Sequence, residues 1–497
     1  MRYNSTRDSR VSVSSAQAIV QGISRDGGLF VPDSLPRVTA ADIAAMTKMP
    51  YEERAASILC RFLTDFTKEE TAACARAAYA SGAFRSPAVA PVHTLEEGVH
   101  ILELWHGPTC AFKDMALQIL PHLMRVSSHK IGGGEIVILV ATSGDTGKAA
   151  LEGFRDAPHT RILVFYPEDG VSPMQKLQMT TQEGQNVGVC AIRGNFDDAQ
   201  SGVKAIFTDE SVREELRDHG MQFSSANSIN WGRLVPQIVY YFSAYCDLLA
   251  AGKLQMGDRF NIVVPTGNFG NILAAYYAKE MGLPVAKLIC ASNRNRVLTD
   301  FIATGTYDRN RPFYSTSSPS MDILISSNLE RLLYHLSGRD DAVIQNLMDQ
   351  LATRGVYTVP SSVREKLSEL FDAGWCDDAG TATAIADTYK VHGYLCDTHT
   401  AVGINVYSAY RHRTGDTVPT VIASTANPYK FSASVLAALG QEAAGMDEFD
   451  KVEALHKLTG SPVPPPLAGL RDKAARFTAV CSREEMPSVV LDMLGIR

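Results

Sequence analysis

Two rhythms of apolar positions divide this chain. Up to about residue 95 the apolar residues recur at helical spacing, over Ser15–Ile23 and again over Ala40–Phe66, broken by the turn Asp26-Gly27-Gly28 and by Pro32 and Pro36. That stretch, 1–95, predicts a mostly helical N-terminal domain, closed by a linker with two prolines over Ser86–Val92. Farther on, short runs rich in β-branched residues alternate with helical segments. Glu135–Ala141, Ile162–Phe165, Asn261–Val264 and Val418–Ala423 are the expected buried strands, each followed by a turn rich in Gly, Ser, Thr or Pro and then a helix. Strand, turn and helix in repetition predict an α/β fold with parallel sheets. Residues 296–390 break the rhythm, with a polar loop over Ser315–Ser320 and helical segments after it, and read as an insertion.

At roughly 150 residues per domain, a length of 497 residues suggests about three domains. Lys plus Arg number 47 and Asp plus Glu 54, a net charge of −7, which disfavours nucleic-acid or anionic-membrane binding. A small anionic substrate still fits, since a few local cations or a helix N-terminus suffice to hold one. Nine Cys without CxxC or CxxH spacing argue against a disulfide framework and a structural zinc, and for reduced thiols in the cytoplasm. No apolar run approaches the ~20 residues of a spanning helix, and the polar start, Met1–Ala16, is no secretory signal, so a soluble intracellular protein is expected.

Four segments carry candidate chemistry. In the first, His106 to Asp114 (HGPTCAFKD), a turn at Gly107-Pro108 precedes a helix whose apolar face is Ala116, Ile119, Leu120 and Leu123. Lys113 therefore sits near a helix N-terminus. The dipole there, together with burial, favours the neutral amine that a Schiff-base nucleophile needs; a solvated surface lysine is the alternative. In the second, Ala141 to Ala149 (ATSGDTGKA), a strand enters a turn of small residues and then the helix Lys148–Phe154. It is either a cradle of free backbone N–H groups for an anion or an ordinary helix capped by Ser143 or Asp145. A nucleotide P-loop is excluded, because Thr142 stands five places before Gly147 and Ala149 follows Lys148. The third, Pro265 to Asn271 (PTGNFGN), before the helix Ile272–Met281, is a phosphate cradle or a tight glycine turn, without GxGxxG spacing. The fourth, Ala423 to Pro428 (ASTANP), puts hydroxyls at a strand's carboxyl end, where ligands of open α/β sheets lie, or makes a plain turn before Pro. Asp397 and His399 lack a paired ligand run for a metal, no GxSxG elbow supports a hydrolase, and His106 and His392 read as packing or loop residues.

Taken in order, HGPTxAFKD, TSGDTG, PTGNFG and the late STAxP resemble threonine synthase, in the longer class that includes the fungal and many bacterial enzymes. Tyr3 to Arg7 (YNSTR), Asp26 to Pro32 (DGGLFVP), Asn227 to Asn230 with Pro236-Gln237, and Ser318 to Ile323 with Ser326 to Arg331 are similar to the same family, so the resemblance runs over nearly the whole chain. It implies a fold-type-II pyridoxal 5'-phosphate enzyme of the tryptophan-synthase-β kind. The implied units are the N-terminal domain 1–95, a large cofactor-binding α/β domain from 96–130 and 235–497, and a small α/β domain, 131–234. The implied reaction converts O-phospho-L-homoserine and water to L-threonine and phosphate, the last step of threonine biosynthesis. The implied assembly is a monomer or homodimer, with no nucleic-acid or membrane partner.

Carried over by position, Lys113 is the Schiff-base lysine, and Gly267, Asn268, Phe269, Gly270 and Asn271 form the loop for the cofactor phosphate. Thr425 is the hydroxyl facing the pyridine nitrogen. Ser143, Asp145 and Thr146 face the substrate carboxylate and the cofactor's O3′ side. Lys176 and Arg233, in segments resembling active-site loops, are candidates for holding the substrate phosphate. Asn271 stands where many members have Asp, Cys110 where Leu is commoner, and Asn427 where several have His. The competing expectations are a phospholyase or a threonine/serine dehydratase on the same scaffold, and a non-catalytic cofactor-binding protein.

Overall fold

The computed structural model describes residues 1–142, 144–169 and 171–496. Two parallel sheets dominate, and their strands are the apolar runs, buried along nearly their whole length as parallel strands covered by helices must be. The larger sheet has six strands in the order Phe371–Trp375, Val285–Ser292, Phe260–Pro265, Thr420–Ser424, Val99–Glu103 and Val92–Glu96. Its pairs are parallel except the last, a hairpin that closes one edge. The smaller sheet has five parallel strands in the order Val480–Cys481, Val187–Ile192, Thr160–Pro167, Glu135–Ala141 and Met221–Ser224. Between the sheets in sequence runs the helix Trp231–Ala250, apolar on nearly all sides and buried along most of its length, as a helix inside a large core should be.

The segment 1–95 is mostly helical, with a small antiparallel sheet of Ser12–Val13, Tyr3–Ser5 and Phe30–Pro32, and its helical stretch 40–66 is two helices, Ala40–Met46 and Tyr51–Phe62, parted at Pro50, the residue just ahead of the second one. Two expectations are corrected. The stretch 296–390 is not wholly an insertion, because Phe371–Trp375 is the edge strand of the larger sheet. Nor does all of 235–497 belong to the larger unit. Val480–Cys481 adds an edge strand to the smaller sheet, and the helix Met486–Leu494 buries Met486, Val490, Leu491 and Leu494 against the same small core.

These strands and helices meet in turns at the carboxyl ends of both sheets, the usual place for ligands in open α/β folds. The lysine segment is tied to one of them directly. Phe112 N donates to Thr425 O at 2.8 Å, Asn427 N to Cys110 O at 3.0 Å, and Ala111 and Ala426 form an antiparallel bridge. Cys110 is held at φ 60°, a conformation a β-carbon disfavours, so this backbone is fixed by its surroundings.

Candidate active site

Lys113 precedes the short helix Asp114–Leu117 and is only 9% exposed. Its Nζ donates to Ser320 Oγ at 3.4 Å and lies 3.7 Å from Asp145 Oδ2. Burial pulls the amine down to about 8; Asp145 opposes this, while Arg233 and Lys430 add to it. A substantial neutral fraction at near-neutral pH is what nucleophilic and base chemistry needs. The solvated-lysine alternative is thereby set aside.

Asp145 opens the helix Asp145–Phe154 and is buried. Burial alone would raise its pKa, but Lys430 and Lys113 outweigh it and hold the carboxyl well below the usual carboxylate range. Lys430 Nζ lies 2.5 Å from Asp145 Oδ1 and also donates to Thr109 O at 3.1 Å; Gln175 Nε2 donates to the same Oδ1 at 3.1 Å. A substrate carboxylate placed against Asp145 would face an ionised side chain committed to two lysines and an amide, which opposes it. Thr146, half-buried in the first turn of that helix, is free of this objection. Ser143 lies outside the described residues.

The Gly-rich turn after Phe260–Pro265 feeds the helix Gly270–Glu280, whose first turn has no side-chain cap. Its N–H groups are left for an anion. Outward bonds hold the turn open: Ser326 Oγ donates to Gly267 O at 2.8 Å, and Asn328 N and Nδ2 both donate to Asn268 O, at 3.1 and 3.0 Å. Phe269 sits at φ 62° and is buried. A β-carbon on Gly267 would lie 2.5 Å from Ser320 O, whereas one on Gly270 would meet only ordinary contacts at 3.5 Å and beyond, so the protein itself does not demand glycine there. Asn271 accepts from Tyr240 Oη at 2.7 Å and from Tyr241 Oη, and its buried Nδ2 has no partner among the described residues. An orphaned donor, an uncapped helix start and a depressed amine, joined through Ser320, fit a group with an aldehyde at one end and a phosphate at the other.

Arg233 is buried in the first turn of Trp231–Ala250. Burial alone lowers it, to about 10. It donates to Ala226 O at 2.8 Å and has no carboxylate partner among the described residues. A cation desolvated at a helix N-terminus, against the dipole, is costly without an anion nearby. Thr425 lies buried at the end of Thr420–Ser424, beside the lysine segment. Lys176 is half-buried and reaches Glu168 O at 3.5 Å; on its helix it is Gln175 that touches Asp145.

Sequence reading missed Lys430, Gln175 and Ser320, and set His399 and Asp397 aside. Lys430 had one signal, a lysine inside a short turn just past a strand's end. His106, read as packing, pairs with Glu103 at 2.8 Å, and His392 is exposed. Among the described residues no cluster of three His, Cys, Asp or Glu is placed to hold a metal, and no helix is long and apolar enough to cross a membrane.

Residues 2–79 match the family described as threonine synthase N terminus, 83–366 that of pyridoxal-phosphate dependent enzymes, and 400–490 threonine synthase, C-terminal. The chain is 41% identical to a threonine synthase of Pseudomonas aeruginosa over 458 residues, 89% of this chain and 92% of that protein. It is also 41% identical to human threonine synthase-like 1 over 435 residues, 85% of this chain but only 58% of that longer protein. Among solved structures it is similar to the PLP-bound threonine synthase of Brucella melitensis (TM-score 0.88, 37% identity, 99% of each chain) and to that of yeast (0.87, 32%, 100% of this chain and 99% of that one).

Proposed function

The chain belongs to the threonine synthase family of pyridoxal-phosphate dependent enzymes, and from that premise we propose that it converts O-phospho-L-homoserine and water to L-threonine and phosphate. The observation that carries the reading is the pairing of a depressed Lys113 amine with Arg233, a buried cation that no carboxylate neutralises among the described residues. One group is suited to proton transfer at carbon, the other to a phosphate that must be bound and then expelled.

When bound, pyridoxal phosphate supplies an electron sink for the negative charge left on the substrate's Cα. The residues of this chain do the rest. The start of Gly270–Glu280 and Asn271 Nδ2 would hold the cofactor's phosphate. Lys113 takes the proton from Cα. Because the leaving phosphate is on Cγ, one proton loss does not expel it; a second proton must leave Cβ, and Lys113 would take that one as well once the first has been passed to the bound cofactor, to be returned to Cα at the end. Asp145, kept ionised by Lys430, places a negative charge 3.7 Å from the amine and so favours holding the proton that Lys113 has taken. That proton is then available to return to Cγ after phosphate departs, before water adds at Cβ. Arg233 neutralises the phosphate. Thr425, an uncharged hydroxyl, does not hold a proton on the ring nitrogen as a carboxylate would.

Incubating the cofactor-loaded protein with O-phospho-L-homoserine tests the reading. Threonine and phosphate in equal amounts support it. Phosphate with 2-oxobutyrate and no threonine would move the function to a phospholyase. No phosphate from the loaded protein would refute the substrate assignment.

A further inference from the structure

A chain of hydrogen bonds leads away from Lys113 to a side chain that the reaction above does not use. Ser320 lies in the tight turn Pro319–Met321 and has three contacts. Its Oγ accepts from Lys113 Nζ at 3.4 Å, its carbonyl lies so near Gly267 of the anion turn that a β-carbon there would come within 2.5 Å of it, and its N–H donates to His399 Nε2 at 3.1 Å. A backbone N–H can only donate, so Nε2 of His399 must be unprotonated. The ring proton is then on Nδ1, which lies 2.7 Å from Asp397 Oδ2. Asp397 is fully buried at the start of the helix Thr398–Thr414; Oδ2 also accepts from His399 N at 2.9 Å, and Oδ1 accepts from Thr400 N at 3.2 Å and from Thr400 Oγ1. His399 is 2% exposed and packs edge-on against Phe431 at 4.9 Å. The other side of the turn is equally constrained. Asp322 accepts from Asn293, Asn295 and Thr316, at 2.7 to 3.0 Å, which fixes the loop that carries Ser320.

We propose that Asp397 and His399 are positioning residues for Lys113: Asp397 fixes His399 as its Nδ1–H tautomer, His399 anchors the Ser320 backbone, and the Ser320 hydroxyl holds the lysine nitrogen in place. This deepens the reading above and rests on it for the reaction, though not for the placement of the amine. Ser320 has a second role in the same position, since its carbonyl abuts Gly267. A shift of the turn would displace the amine and the phosphate cradle together. Both groups must be held to within a fraction of an ångström for the reacting atoms to meet. Asp397 also caps the helix Thr398–Thr414, but a cap needs no imidazole between it and the Ser320 turn, and no metal cluster among the described residues accounts for the buried His399.

The test uses the full chain loaded with cofactor. S320A and H399F should each lower kcat about 10- to 100-fold, the scale expected from misplacing a reacting group by about 1 Å, with KM for O-phospho-L-homoserine unchanged. Each should also move the pH midpoint of the bound cofactor's absorbance in the same direction. The double variant should be no worse than the worse single one, because both changes cut the same chain. H399Q, whose Oε1 can accept from Ser320 N–H, should recover most of the loss. Multiplied losses in the double variant, or a wild-type kcat and midpoint in S320A, would overturn the proposal. S320A removes one oxygen from a half-buried turn, so its result stands even if H399F fails to fold. A wild-type protein that does not turn over O-phospho-L-homoserine would refute the proposed reaction, while the absorbance midpoint would still decide this inference.

Discussion

Replacing Lys430 by Met removes the fully buried ammonium that sits 2.5 Å from Asp145 and leaves the packing volume nearly intact. Two consequences follow for Lys113, and both act in one direction. The repulsion that Lys430 exerts on the Lys113 amine disappears, and Asp145 loses its closer counter-ion, so its charge acts on Lys113 alone. The attraction of Asp145 at 3.7 Å is already part of the wild-type value, so the change is the lost repulsion; at an effective dielectric near 20, like charges about 5–8 Å apart repel by about 2–3 kcal/mol before desolvation is subtracted. Even half of that is about one pKa unit. The amine should therefore rise from about 8 to about 9 or above. The assay is the rate at which Lys113 of the cofactor-free protein reacts with an aldehyde, followed by mass spectrometry across pH. In the wild type the rate climbs through pH 8 as the proton leaves; in K430M the climb should begin about one unit higher, with roughly tenfold less neutral amine at pH 7. Loss of the partner should also cost about 3–5 kcal/mol of stability, since it strands a buried carboxylate. A reaction midpoint that stays put, or moves below 8, would refute the assignment of Lys430 as the charge that sets Asp145 and, through it, the lysine.

Other changes bear on the anion sites and the turn between them. Asn271→Leu should cost about 1–3 kcal/mol in urea unfolding, because Tyr241 loses its acceptor while Tyr240 keeps Gln237 Oε1 at 3.2 Å. Gly267→Ala sets a β-carbon 2.5 Å from the Ser320 carbonyl, so it should weaken cofactor affinity and, through overpacking, cost about 1–3 kcal/mol; equilibrium dialysis and thermal melting would check both. Arg233→Met should raise KM for the phosphorylated substrate at least tenfold without destabilising the fold, since it removes a buried charge that has no carboxylate partner among the described residues.

The part of the site legible in the sequence is the part that is local. A strand, a turn of small residues and a helix follow one another in a contiguous stretch, so the Gly267–Asn271 turn and the start of Asp145–Phe154 could be found from pattern alone. Lys113 stood out because a cation is unwelcome at a helix start. Lys430, Gln175, Ser320 and His399 gain their roles only from what lies against them, at separations of 30 to 285 residues in the chain from Asp145 or Lys430, and from Lys113 or His399 to the serine turn. The fold shows the same division. Glu135–Ala141 matches its expected limits because six apolar residues, four of them β-branched, follow Glu135 without a break. Phe371–Trp375 was hidden by an Asp, an Ala and a Gly in an edge strand, and Val480–Cys481 is too short to carry any alternation. Asp397 and His399 were visible but unassignable, since a His–Asp pair has no meaning until its third partner is known, and here that partner is a backbone N–H.

Two buried lysines flank Asp145, and only one of them is assigned the covalent role. Reducing the cofactor-loaded protein with borohydride fixes the link between cofactor and lysine, and peptide mapping then locates it. The reduced adduct should fall on the peptide that contains Lys113 and on no other. An adduct on Lys430, or a cofactor that stays bound but yields no lysine adduct, would contradict it.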